Sequence, residues 1–143
     1  MQMDPKDIRR KIREAVKEHD AWKEKFASTV ETDPQSLKSA TIARDDCCGF
    51  GRFLHQTDFP DWVVDRKPYE VITRLHKDFH AQAAQAAELA QSGRLAEARR
   101  LIAGPCEAAS DKLRRALRKW DGELSELWGR RLADHDPNAP PRP

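Results

Sequence analysis

The sequence predicts an all-α fold, an antiparallel four-helix bundle with an additional short helix. Two long stretches repeat apolar residues at alternating spacings of three and four, which is the periodicity of an amphipathic helix. No stretch shows the strict alternation of a half-buried strand. The composition agrees, because 35% of the 143 residues are charged and only 7% are aromatic. Such a chain favours helices with apolar stripes and broad charged faces.

The first helix is expected over residues 4–30. Asp4 followed by Pro5 suits an N-cap and the first helical position, and the helix should end near Asp33, because the residue before a proline avoids the helical region. One face of this helix carries a heptad seam: Ile8, Ile12, Ala15, His19, Trp22 and Phe26.

The second predicted helix is shorter, over residues 35–54. Gly49 and Gly51 fall late in it and should weaken or bend it. Residues 55–68 contain two prolines and are expected to form mainly a loop, with Trp62 and its two valine neighbours against the core.

A long third helix is expected from Tyr69 to Gln91, ending at Ser92-Gly93. Its alanine-rich second half has small side chains, so a neighbouring helix can approach closely. Its buried stripe is Ile72, Leu75, Phe79, Ala83, Ala86 and Ala90.

A short helix from Arg94 to Ala103 should precede Gly104-Pro105, and a last helix should follow to about Leu132. The seam of the last helix is Ser110, Leu113, Leu117, Trp120, Leu124 and Leu127. The ordered domain is therefore expected over residues 1–132. The proline-rich tail, residues 133–143, is expected to be disordered.

Composition and charge exclude several classes of protein. The formal net charge of +2 gives no strong argument for binding nucleic acid or anionic lipid. The charged N-terminus lacks the apolar core of a secretory signal, and no apolar stretch is long enough for a membrane span. A cytoplasmic protein without membrane insertion is expected. Three cysteines in a reducing compartment are better read as metal ligands or redox centres than as disulfides.

Three histidines fall where apolar residues are expected. His19 lies in the middle of the first seam, where each unpaired ring nitrogen would cost about 1–3 kcal/mol. A hydrogen bond to a carbonyl or carboxylate, or a metal ion, must satisfy it. His76 and His80 lie four residues apart, so both rings project from one side of the third helix. Such a pair is a recurrent metal clamp, although it also occurs on solvated helix flanks.

The adjacent cysteines Cys47 and Cys48 offer a fourth ligand. Three imidazoles and one thiolate form a tetrahedral set suited to zinc, with distances of ~2.0–2.1 Å to nitrogen and ~2.3 Å to sulfur. A site filled by four protein ligands leaves no position for water, which argues against hydrolytic catalysis. Helical phase slightly favours Cys47, which lies in line with Phe50 and Leu54.

Three segments resemble motifs of the chemoreceptor zinc-binding domain family. Residues 19–23 (HDAWK) resemble its HxxWK motif, residues 48–54 (CGFGRFL) its CxFGxWL motif, and residues 76–80 (HKDFH) its HxxFH motif. The resemblance extends over roughly residues 8–128. It implies a helical bundle that binds one zinc ion through His19, Cys48, His76 and His80, and so selects Cys48 over Cys47. Phe53 stands where the family usually has tryptophan, which affects packing rather than ligation.

The resemblance also implies a function, a non-enzymatic sensory or regulatory domain of bacterial signal transduction. Such domains, of chemotaxis or cyclic-di-GMP type, are associated with sensing zinc or oxidants such as hypochlorous acid through the zinc-bound thiolate. No receptor or cyclase segment is evident here. The output is therefore expected to act through a homodimer or through a chemoreceptor, cyclase or other signalling protein in trans. Two alternatives stay open, a metal-free helical dimerisation or adaptor module and an enzyme with an open metal site.

Other candidates near the motifs have lesser roles. His55 could compete as a ligand, whereas Cys106 is expected in the core and His135 in solvent. Cys47 is either a spare core thiol or a disulfide partner for an oxidised Cys48. A carboxylate could accept the second ring N–H of a ligating histidine, and the candidates are Asp45, Asp46 and Asp78.

Overall fold

The computed structural model describes residues 4–44 and 48–133, and within them the fold is all-α, as predicted. No helix among these residues is long and apolar enough to cross a bilayer. The α-helices are α1 (Pro5–Thr32), α2 (Ser39–Ile42), α3 (Gly49–Gln56), α4 (Asp61–Val64), α5 (Lys67–Gln91), α6 (Leu95–Leu101) and α7 (Glu107–Ala133). Cys47, His135 and residues 134–143 of the predicted tail lie outside the described residues.

Local capping explains the limits of the long helices. The side chain of Asp4 accepts a hydrogen bond from the backbone N–H of Asp7 at 2.9 Å, and Pro5 occupies the first turn. The helix α5 ends before Gly93, whose φ of +81° is a left-handed conformation that favours glycine.

The long helices α1 and α7 are antiparallel. Four ion pairs show this, because the residue number of the partner falls as the residue number in α1 rises. The pairs to α7 are Arg9–Asp121, Asp20–Arg114 and Lys23–Glu107, and the pair to α6 is Glu31–Arg99. The helix α5 runs parallel to α1, since Ile72 near its start packs with Ile8 and Ile12, and its alanine-rich end packs with Phe26. The short α3 completes the bundle beside α1.

The predicted helix over residues 35–54 is wrong in its extent. A 3-10 turn (Pro34–Ser36) and the single turn of α2 occupy its first half, and α3 begins only at Gly49. Gly49 is therefore the first residue of a helix, where glycine costs little, and α3 continues to Gln56. The expected loop after it contains the turn α4, where Val63 is buried but Val64 is exposed.

Gly104-Pro105 does not separate two helices as the sequence suggested. A π-helical segment (Ile102–Cys106) contains Pro105 and connects α6 directly with α7. The wider π turn accommodates a proline, which has no N–H to donate and which clashes with a regular α-helical turn.

The core consists of two apolar clusters. Cluster 1 comprises Ile8, Ile12, Ala15, Phe50, Leu54, Phe59, Val63, Ile72, Leu113, Leu117, Trp120 and Leu124. Cluster 2 comprises Phe26, Val30, Ala83, Ala86, Ala87, Ala90 and Ala98. Along α1, His19 lies between the two clusters, and along α5 so do His76 and His80. A layer of buried polar side chains therefore divides the apolar core.

Candidate metal centre

Three potential ligands converge in this polar layer. The Sγ of Cys48 lies 3.3 Å from Nε2 of His76 and 3.4 Å from Nε2 of His80. The three donor atoms all lie within 4.8 Å of one another. Cys48 immediately precedes α3, and the histidines are one turn apart on α5, with exposed fractions of 0% and 2%.

A backbone carbonyl orients the His80 ring. The Nδ1 of His80 lies 2.8 Å from the carbonyl oxygen of Ile42 at the end of α2. An N–H at Nδ1 donates to this oxygen, which leaves the lone pair on Nε2, the nitrogen that faces the sulfur. Metal-binding histidines typically have such a partner on the second nitrogen. The sequence suggested a carboxylate instead, but Asp78 is exposed, and Asp45 and Asp46 lie outside the described residues.

The imidazole of His76 is held in its neutral form by its surroundings. Burial, with smaller contributions from the charges of His80 and His19, lowers the pKa of His76 to about 3. Its ring stacks on Phe50 with centroids 4.8 Å apart. Its Nδ1 is buried without a hydrogen-bond partner among the described residues. Neutral imidazole is the form that binds a metal.

Cys48 is both a candidate ligand and the N-cap of α3. Its Sγ accepts a hydrogen bond from the backbone N–H of Gly51 at 3.2 Å. Burial raises the pKa of the Cys48 thiol, and the backbone hydrogen bond from Gly51 opposes this only in part. The helical-phase argument that favoured Cys47 assumed one continuous helix through residues 40–54, but α2 ends at Ile42 and α3 begins at Gly49.

The fourth predicted ligand, His19, lies beside this group and is not part of it. Its ring centroid is 6.3 Å from that of His76 and 4.6 Å from that of Phe79. Its Nε2 lies 3.3 Å from Oγ of Ser110 on α7. Burial, with a smaller contribution from the charge of Lys23, lowers the pKa of His19 to about 4. The sequence did not single out Ser110, although a serine in an apolar seam was the available signal.

Aromatic side chains from the three sequence motifs (residues 19–23, 48–54 and 76–80) line the polar layer. Trp22 lies 5.0 Å from His80, Phe79 lies 4.6 Å from His19, and Phe50 covers His76 (ring centroids). They shield the donor atoms from water, and this strengthens electrostatic interactions within the layer.

The competing candidates do not join the group. His55 is exposed near the end of α3. Cys106 is buried in the π-helical segment, where burial raises the pKa of its thiol to about 11. A thiol with so high a pKa is unreactive at neutral pH.

Residues 19–87, just under half of the chain, match the sequence model of the chemoreceptor zinc-binding domain. This part of the chain is similar to the chemoreceptor zinc-binding domain. The match begins at His19 and contains Cys48, His76 and His80, so it includes all four predicted ligands. Comparisons with curated proteins and with solved structures give no match.

The donor set fits zinc, the metal that chemoreceptor zinc-binding domains bind. Tetrahedral zinc at ~2.05 Å from nitrogen and ~2.3 Å from sulfur requires about 3.6 Å between these donors. The observed separations of 3.3 and 3.4 Å are within a few tenths of an ångström of this value. Cys48, His76 and His80 can therefore hold the ion with small movements of their side chains.

Proposed function

We propose that this protein is a cytoplasmic sensory or regulatory domain of bacterial signal transduction that reports zinc or an oxidant through Cys48. His19, Cys48, His76 and His80 bind one zinc ion in this proposal. The observation that carries it is the convergence of Sγ and two Nε2 atoms, with Ile42 orienting one ring. The family match adds independent support for zinc.

The chemistry of Cys48 makes its reactivity depend on the metal. Without an ion, burial raises the pKa of the thiol, so the sulfur is protonated and reacts slowly. Bound zinc stabilises the thiolate, the form that oxidants attack. The thiolate then transfers two electrons to hypochlorous acid, takes up its hydroxyl group and releases chloride. The product is a sulfenic acid, which thiols can reduce again.

The position of Cys48 couples this reaction to the fold. Its sulfur caps α3 through the N–H of Gly51, and α3 has only 8 residues. Loss of an N-cap interaction costs about 0.5–2 kcal/mol, a large effect on so short a helix. Oxidation of the sulfur would therefore loosen the start of α3. Output then passes to a second copy of the chain or to a chemoreceptor, cyclase or other signalling protein in trans.

Metal analysis of ligand variants tests the zinc site. Purified wild-type protein should contain one equivalent of zinc, and the variants Cys48→Ser, His76→Ala, His80→Ala and His19→Ala should each bind it more weakly. His55→Ala and Cys106→Ala are matched controls that should keep full zinc content. Less than about half an equivalent in metal-replete wild type would refute the proposal.

Mass spectrometry of the zinc-loaded protein before and after hypochlorous acid tests the switch. We expect oxidation at Cys48 and none at the buried Cys106. Preferential oxidation of Cys106, or equal oxidation of zinc-loaded and zinc-free protein, would exclude Cys48 as a zinc-dependent redox switch.

Two further measurements test the competing functions. The cobalt-substituted protein should show the absorption of a closed tetrahedral site with a thiolate ligand, whereas an open-site enzyme requires a free position. Chelation should lower the melting temperature, because metal binding is coupled to folding. An unchanged melting temperature would favour the metal-free adaptor module.

A further inference from the structure

Ser110 is a polar residue in the apolar seam of α7, outside the matched residues 19–87. Its side chain is 0% exposed, and its Oγ lies 3.3 Å from Nε2 of His19. Apart from the three histidines of the polar layer, it is the only buried polar or charged side chain among the residues described. A buried hydroxyl in an apolar seam is costly unless it is hydrogen-bonded.

Ionic contacts hold α7 in register at this point. On α7 they lie one turn to either side of Ser110 and are Lys23–Glu107 at 2.9 Å and Asp20–Arg114 at 2.5 Å. The side chain of Lys23 is only 16% exposed, so its ion pair is better shielded than a surface pair. These contacts place the Ser110 hydroxyl opposite His19.

We propose that Ser110 is a positioning residue that sets which nitrogen of His19 binds the metal. A neutral imidazole has one N–H and one lone pair, and burial keeps His19 neutral. In the tautomer that we propose, the Nε2–H of His19 donates to the Oγ of Ser110, which leaves the lone pair on Nδ1. Nδ1 is the ligating atom of His19, so α7 becomes part of the support of the metal site. This inference rests on the proposed function, in which His19 is a ligand.

The role predicts a specific loss of zinc affinity. Mutations of residues that orient a ligating histidine typically weaken metal binding by 10- to 100-fold. The variant Ser110→Ala should lose affinity by this factor in competition with a chromogenic zinc chelator, measured on the full chain. Ser125→Ala on the same helix is the matched control and should bind zinc as wild type does.

A second measurement needs no variant. Nitrogen-15 NMR of the zinc-loaded wild type distinguishes a protonated Nε2 from a metal-bound Nε2, and a purely structural role of Ser110 would not set this. We expect His19 to show Nε2–H with the metal on Nδ1. Zinc on Nε2 of His19, or a Ser110→Ala affinity within twofold of wild type, would overturn the inference.

The variant His19→Ala separates this inference from the proposed function. If His19→Ala weakens zinc binding and Ser110→Ala does not, the role of Ser110 fails and the ligand set stands. If His19→Ala leaves zinc affinity unchanged, His19 is not a ligand, and both the four-ligand set and this inference fail.

Discussion

Acidification should destabilise the metal-free protein well above the pH at which carboxylates titrate. The cause is the two histidines whose folded-state pKa values lie far below the unfolded value of 6.5, with His19 at about 4 and His76 at about 3. Both shifts come mainly from burial. The folded protein keeps these rings neutral, whereas the unfolded chain binds protons once the pH falls below 6.5.

The sign and the size follow from proton linkage. Because the folded pKa values are depressed, the unfolded state binds more protons below pH 6.5, and stability decreases as the pH falls. The stability that the neutral histidines contribute is fully present well above pH 6.5 and is lost progressively as the pH falls towards the folded pKa values. Each histidine contributes a slope of about 1.4 kcal/mol per pH unit. Because the unfolded histidines are half protonated at pH 6.5, the pair removes about 3 kcal/mol between pH 6.5 and pH 5, a large share of the 5–15 kcal/mol typical of a domain.

Urea unfolding followed by far-ultraviolet circular dichroism, with a chelator present, measures this loss. The free energy of unfolding should be constant between pH 7.5 and 7 and should decrease by about 4 kcal/mol by pH 5. The variants His19→Gln and His76→Gln should each remove about half of the slope, whatever their effect at pH 7.5. Gln85→Ala, at an exposed position of α5, should leave the slope unchanged.

A decrease of less than about 1 kcal/mol between pH 6.5 and pH 5 would contradict the reasoning. It would mean that the rings are solvated, or already protonated, in the metal-free fold. Equal slopes in wild type and in both glutamine variants would lead to the same conclusion.

Two predictions concern the packing of the bundle. Ala86 is fully buried in cluster 2, so Ala86→Leu should cost about 1–3 kcal/mol by overpacking, whereas Ala81→Leu on the exposed face should stay within about 0.5 kcal/mol of wild type. Equal effects in thermal unfolding would rule out close helix contact at Ala86. The hydroxyl of Tyr69 donates to the carbonyl of Leu54 at 2.6 Å, so Tyr69→Phe should cost about 1 kcal/mol in urea unfolding. No change would show that water replaces this bond.

The three long helices could be predicted because their signals are local. Spacings of three and four, an N-cap such as Asp4 and a stop such as Gly93 act within one or two turns of the chain. The segment before α5 has no such signals. Its short helices are limited by tertiary contacts, such as the hydrogen bonds from Gln91 to the carbonyls of Pro34 and Leu37.

The candidate site was only partly visible in the sequence, for a similar reason. The pair His76 and His80 is readable from spacing, because four residues place two side chains on one helix face. The carbonyl of Ile42 is not readable, since every residue has a carbonyl and only the fold brings this one to His80. The contact between Ser110 and His19 was missed for another reason, because a single serine in a seam of leucines is easily interpreted as a tolerated substitution.

The division of the core by a polar layer has a consequence for cooperativity. Each cluster has its own apolar contacts, but the histidines between them are neutral, and His76 has an unsatisfied nitrogen. Without metal, we expect the two ends of the bundle to open as separate units in amide hydrogen exchange. A metal ion held in the layer by side chains of α1 and α5 and by Cys48 would join the two ends into one unit. Occupancy of the site would then be detected as a change in how much of the molecule unfolds together, even where the average structure hardly changes.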